Sequence, residues 1–174
     1  MKKISFNVEG PTNFLFSVDC THCRIEEPRS VPDKIWYSHK LNKPALSYEI
    51  ALHIYRNEIA WINGPFPAGE NDLIIFRKEN GLKSRLPPHK LLVADKGYLN
   101  EVQISTPNEF DSDEVKVFKQ RVRARQESIN ARIKEYRILS ERFRSSHKTH
   151  GVVFEAVCVI VQFSMESGRP LMEV

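Results

Sequence analysis

A chain of 174 residues with 41% hydrophobic content is long enough for one domain with a sizeable core. Three cysteines are too few for a disulfide framework and favour a reducing compartment; no stretch approaches the ~20 apolar residues of a membrane span, and Met1 to Asn7 lack the apolar core of a signal peptide. The net charge of +4 hides an asymmetry: residues 116–149 hold eleven Lys or Arg against three Glu, leaving the remainder net acidic.

Phe14 to Asp19 is a continuous apolar, β-branched run and predicts a buried strand ending in an acid. The following Cys20-Thr-His-Cys23 lacks a second ligand pair for zinc and continues a strand instead of opening a helix, so neither zinc nor redox use is expected of it. Ile25 to Pro32, with two prolines, breaks into a loop. Ile35 to Leu41 predicts a short strand. Leu46 to Tyr55, with Tyr48, Ile50, Leu52 and Ile54 on one face, predicts a half-buried strand, returned across an Arg56-Asn57 turn by Glu58 to Ile62. Asn63 to Gly69 is turn-rich, and Glu70 to Arg77 predicts a short helix with acids in its first turn.

After a break at Leu86-Pro-Pro-His, the run Leu91-Leu-Val-Ala-Asp95 predicts a strand tipped by a carboxylate, and Val102 to Ser105 another strand. Asp111-Ser-Asp-Glu opens a helix expected to run to about Phe143, and Gly151 is expected to separate it from a last apolar helix over Val152 to Met165. On the long helix Val115, Phe118, Val122, Ile129, Ile133, Tyr136 and Phe143 share one face, while Arg123, Glu127, Asn130 and Lys134 form a second stripe ~120° away. Glu127 thereby borders the buried face and can look into a cleft. The element order predicts an α/β fold, a ribonuclease H-like mixed sheet with an antiparallel hairpin and flanking helices.

Four acids stand at element ends: Asp19, Asp72, Asp95 and Glu127. A carboxylate at the C-terminal tip of a central strand faces the crevice where open α/β sheets place ligands, and a helix-borne carboxylate can close over it. Hard divalent cations prefer such oxygen ligands, and a basic stripe beside them suits nucleic acid, with Arg123, Arg125 and Lys134 as phosphate contacts and Arg121, Arg132, Arg142 and Arg144 available to flanking duplex or to solvent. His22 is expected to be a hydrogen-bonded structural histidine, and Trp36 and Trp61 core residues.

The blocks Val18-Asp-Cys-Thr-His-Cys-Arg-Ile, Pro65-Phe-Pro-Ala-Gly-Glu-Asn-Asp-Leu-Ile-Ile-Phe-Arg, Ala94-Asp-Lys-Gly-Tyr and Arg123-Ala-Arg-Gln-Glu resemble, in order and spacing, the DDE superfamily endonuclease domain of PIF/Harbinger-type transposases. Arg123 four before Glu127 and Lys134 seven after it resemble a signature of related transposases; the departure is Cys20, where glycine is common. The resemblance implies metal-binding positions at Asp19, Asp72, Asp95 and Glu127. It implies a catalytic triad of Asp19, Asp95 and Glu127, with Asp72 auxiliary. It further implies Mg²⁺ or Mn²⁺ as cofactor, DNA as substrate, phosphodiester hydrolysis followed by strand transfer from a 3′-hydroxyl, a Myb-like DNA-binding partner and a nuclear location; a homodimer is a separate expectation, and the lack of a long apolar run predicts no membrane association. Only thirteen residues precede the first strand, so an N-terminal DNA-binding region is expected to be absent from residues 1–174. The rival expectations are a domesticated or truncated relic that binds DNA or a partner without cutting, and a structure-specific or RNA-directed nuclease on the same fold.

Overall fold

The computed structural model describes residues 13–28 and 34–174; Met1 to Asn7 and the end of the predicted 25–32 loop lie outside the described residues. Six strands form one mixed sheet: β1 (Phe14–Arg24), β2 (Tyr37–Ser38), β3 (Lys43–His53), β4 (Ile59–Pro67), β5 (Leu91–Val93) and β6 (Ile104–Ser105). Their order is β2-β3-β1-β5-β6, with β4 also paired to β3. β1 runs antiparallel to β3 and parallel to β5, which is parallel to β6. The helices are α1 (Asp72–Arg77), α2 (Asp113–Lys134), the single turn α3 (Arg137–Ser140) and α4 (His147–Glu166).

β1 is central, and only its ends and Asp19 are more than marginally exposed, because both faces of the sheet are covered. One face carries Cys23, Leu46, Tyr48, Ile50 and Leu52 against Ile129 and Ile133 of α2 and Phe154, Val157 and Val161 of α4. The other carries Phe16, Val18 and Ala51 against Phe76, Leu82 and Tyr98, from α1 and short 3₁₀ turns. Tyr48 joins sheet to helix, its ring stacked on Phe154 at 3.8 Å and its hydroxyl 2.7 Å from His150 Nδ1.

Several elements differ from expectation, each for a tertiary reason. β1 does not end at Asp19 but continues to Arg24, because β3 pairs with it over that whole length. The predicted 35–41 strand is a 3₁₀ turn (Lys34–Trp36) followed by two-residue β2. β4 extends through the turn-rich segment to Pro67, held by pairing of Phe66 and Pro67 with Ser47 and Leu46. Val102 is 92% exposed and outside β6. The predicted single helix from 111 to 143 stops at Lys134: Tyr136 is extended, and Phe143 leaves helical geometry to exchange backbone hydrogen bonds with the end of β1, Phe143 N to Arg24 O at 3.0 Å and Glu26 N to Phe143 O at 2.8 Å. Gly151 lies inside α4, where a Cβ would approach the Pro65 ring at 3.2 Å, so it serves close helix–sheet contact. α4 is long and apolar enough to cross a membrane by length and composition, yet its Phe154, Val157, Cys158, Val161 and Met165 are core residues.

Glu49, opposite Cys20 in the β1–β3 register, is fully buried and accepts a 2.9 Å hydrogen bond from Trp61 Nε1. Burial pushes its carboxyl from the ordinary 4.5 up to about 7. Between those values the folded chain holds a proton that the unfolded chain has released, so stability falls as pH rises across that window, by about 3 kcal/mol in all. Glu49→Gln keeps an acceptor for Trp61 and removes the titration. Its melting temperature at pH 8 is expected to exceed that of the wild type by several degrees, with a flatter slope between pH 5 and 7; an unchanged slope in thermal melts would refute the assignment.

Candidate active site

Ser17 pairs with Val93 in the parallel β1–β5 register, and continuing that register by two residues sets Asp95 beside Asp19. Both acids therefore emerge at the same level of two adjacent parallel strands, near the C-terminal end of β5, as the pattern of the sheet requires. Asp95 is extended and caps the following 3₁₀ turn, its Oδ1 accepting Gly97 N at 2.8 Å. A Cβ on Gly97 would lie 3.0 Å from that oxygen and 3.5 Å from Asp72 Oδ2, so residue 97 approaches both carboxylates closely.

The third acid arrives on α2, which two buried or half-buried amides pin across β1. Ser17 Oγ donates to Gln126 Oε1 at 2.6 Å, and Gln126 Nε2 donates to Ile50 O at 3.3 Å. One turn on, Asn130 Nδ2 donates to Asp19 Oδ2 at 2.8 Å. These contacts bracket Glu127 and hold it over the β1–β5 seam. Asp19, Asp95, Glu127 and Arg123 line one cleft of about 60 Å³, together with Ser17, Val18, Val93, Ala94 and Gln126. Glu127 is exposed and Arg123 half-buried at its mouth.

Asp72, first residue of α1, lies near Asp19 and near the turn that Asp95 caps. Lys40, on the turn after β2, reaches between them, its Nζ 3.3 Å from Asp72 Oδ2 and 3.8 Å from Asp19 Oδ1. Burial raises the Asp19 pKa above its usual value; the Lys40 ammonium opposes the shift, and the Asp72 and Asp95 carboxylates add to it. Among the described residues no three of His, Cys, Asp and Glu stand close enough to hold one ion. The chemistry of the donor set nonetheless suits an oxygen-preferring divalent cation: carboxylates from β1, the β5 exit and α2 face one cleft.

The remaining candidates fall elsewhere. Arg125 is only 3% exposed; its terminal nitrogens donate to the carbonyls of Met172, Arg56 (2.8 Å) and His53 (3.4 Å), its Nε is buried without a partner, and it does not line the cleft. Lys134, half-buried at the end of α2, acts electrostatically on His22 and Cys23 and does not line the cleft. His22 is structural, its Nδ1 sharing a 2.6 Å hydrogen bond with Ser38 Oγ. Cys20 and Cys23 are buried and unbridged, with Cys20 Sγ 3.4 Å from the Tyr98 hydroxyl. Trp61 is core. Lys40 and Gln126 carry no sequence signal; Asn130 does, at i+3 from Glu127 on the same stripe.

A six-stranded mixed sheet with flanking helices and acids gathered at its central parallel pair is the ribonuclease H-like nuclease fold. The chain belongs to the DDE superfamily endonucleases, whose family model matches residues 18–162. Comparison with curated proteins and with solved structures gives no match. Nucleases of this superfamily act on DNA and typically use divalent metal ions.

Proposed function

We propose that residues 1–174 form the catalytic domain of a PIF/Harbinger-type transposase, which cuts phosphodiester bonds of DNA by a two-metal mechanism. The observation that carries this reading is the shared cleft of Asp19, Asp95, Glu127 and Arg123 in a chain of the DDE endonuclease family. Asp19, Asp95 and Glu127 would hold Mg²⁺ or Mn²⁺, with Asp72 auxiliary. The cations supply, when bound, activation of the attacking oxygen and neutralisation of charge on the leaving one.

The protein's own residues do the rest. Gln126 and Asn130 fix the distance of α2 from β1 and thereby the reach of Glu127. Arg123, at the mouth of the cleft, orients the scissile phosphate. No side chain needs to attack, so water or a DNA 3′-hydroxyl is the nucleophile. The same reading brings a Myb-like partner for site recognition, a homodimer and a nuclear site of action.

The test is nicking of supercoiled plasmid with Mg²⁺, Mn²⁺ or EDTA, with melting temperature followed in parallel. Metal-dependent nicking, and a rise in melting temperature on adding either cation, are expected. Neither effect would favour the domesticated relic, and faster cutting of an RNA–DNA hybrid than of duplex DNA would favour the RNA-directed nuclease.

A further inference from the structure

Lys40 is the one cation among the described residues placed between two of the site's carboxylates, and nothing in the nuclease reading uses it. Its turn is built firmly. Asn42 N donates to Ser38 O at 2.8 Å and Leu41 N to Ser38 Oγ at 3.1 Å, the same Ser38 hydroxyl that is bonded to His22 of β1, and Asn42 adopts the left-handed conformation (φ 53°) that closes the turn. From there the ammonium meets three oxygens contributed by two elements: Cys20 O at 3.1 Å, Asp72 Oδ2 at 3.3 Å and, more distant, Asp19 Oδ1 at 3.8 Å.

An all-oxygen surround of this kind, with two carboxylates, is what a hard cation takes. Asp19 is thus shared: Oδ1 looks toward Lys40 and Oδ2 toward Asn130 at the Glu127 side of the cleft. The Lys40 side chain is 47% exposed, so its flexible stem can carry the ammonium out to solvent without unfolding anything.

We propose that Lys40 is a resident counter-cation between Asp19 and Asp72. The chain then takes one divalent cation tightly on the Asp19, Asp95 and Glu127 side, and a second only by displacing the lysine. This inference rests on the metal-binding reading above and adds the order in which the two positions fill. It also assigns Lys40 a structural duty, since Asp19 and Asp72 would otherwise repel each other before any metal arrives.

The experiment counts Mn²⁺ bound to the whole chain, by titration calorimetry and by the free-Mn²⁺ electron paramagnetic resonance signal. It compares wild type, Lys40→Met, the charge-retaining Lys40→Arg, and Lys43→Met as a nearby surface control, with metal-free melting temperatures alongside. The wild type, Lys40→Arg and Lys43→Met are expected to bind one Mn²⁺ and a second at least about tenfold more weakly. In Lys40→Met the second ion is expected to tighten about tenfold or more, while the metal-free melting temperature falls and Mn²⁺ restores it. Lys40→Gln, which keeps a donor for the Cys20 carbonyl, replaces Lys40→Met if that variant does not fold. One Mn²⁺ on the wild type with an unchanged second site in both uncharged variants would overturn the role of Lys40 alone. No Mn²⁺ on wild type or variants would overturn the carboxylate site itself, and this inference with it.

Discussion

Asp95→Asn is expected to lower metal-dependent plasmid nicking by at least about 10³-fold while leaving the metal-free melting temperature at or slightly above that of the wild type. The amide is nearly isosteric, and its carbonyl oxygen can still accept the Gly97 N–H that Oδ1 accepts now, so the turn after β5 keeps its cap. What disappears, on the function proposed above, is one anionic ligand. A metal centre contributes several kcal/mol of charge stabilisation in the transition state, and each 1.36 kcal/mol is tenfold in rate. Removing the charge also relieves Asp19, whose carboxyl is raised in part by Asp95, so the fold does not suffer. Glu127→Gln is expected to behave alike, because Glu127 is exposed at the cleft mouth and the helix is held by its neighbours Gln126 and Asn130. Asp72→Asn, outside the cleft that Asp19, Asp95 and Glu127 line, is expected to cost less, about tenfold. Initial nicking rates at equal protein concentration measure all three; Asp95→Asn within tenfold of wild type would remove Asp95 from the triad.

The acids were readable because their positions follow from chain-local rules. Asp95 closes an apolar run that only a buried strand explains, and Glu127 falls on a helical stripe at the border of the packed face. Asp19 was found for a reason that is only half right: the apolar run suggested a strand end, whereas β3 extends β1 five residues beyond it. What makes Asp19 accessible is its level beside Asp95 at the β1–β5 seam, a tertiary fact. Lys40 was not legible at all. A lysine in a polar turn is ordinary, and it reaches the site only because Ser38 ties the turn to His22 and α1 delivers Asp72 from 32 residues away. The break in the predicted long helix was equally hidden, since Phe143 fits helical periodicity and leaves it to bridge Ile25, just past the end of β1, through backbone bonds that no side-chain pattern encodes.

Arg125→Met is expected to lower the melting temperature by roughly 10 °C, whereas Arg123→Ala, two residues away, is expected to leave it nearly unchanged and weaken DNA binding instead. Both belong to the segment 116–149, whose net charge of +8 reads as a phosphate-binding surface. The structure divides that segment. Lys119 is buried, its Nζ 2.7 Å from Asp111 Oδ2 and 2.8 Å from Thr106 O, and Arg125 clamps the backbone of Arg56, His53 and Met172, tying the β3–β4 turn to the C-terminal segment. Methionine keeps the apolar stem but deserts three carbonyls, that of His53 in a buried bond and those of Arg56 and Met172 in half-buried ones. Each buried group left unsatisfied costs about 1–3 kcal/mol, so a total of about 3–5 kcal/mol is expected, and about 2–4 °C per kcal/mol converts this to the shift stated. Arg123 instead lines the open cleft, where its loss removes a phosphate contact and reduces the slope of log affinity against log salt by about 1. Thermal melts and salt-dependent binding of short duplex DNA separate the two. Equal melting temperatures with equal losses of DNA affinity would mean that Arg125 swings out to the phosphates and that its carbonyl partners are satisfied another way.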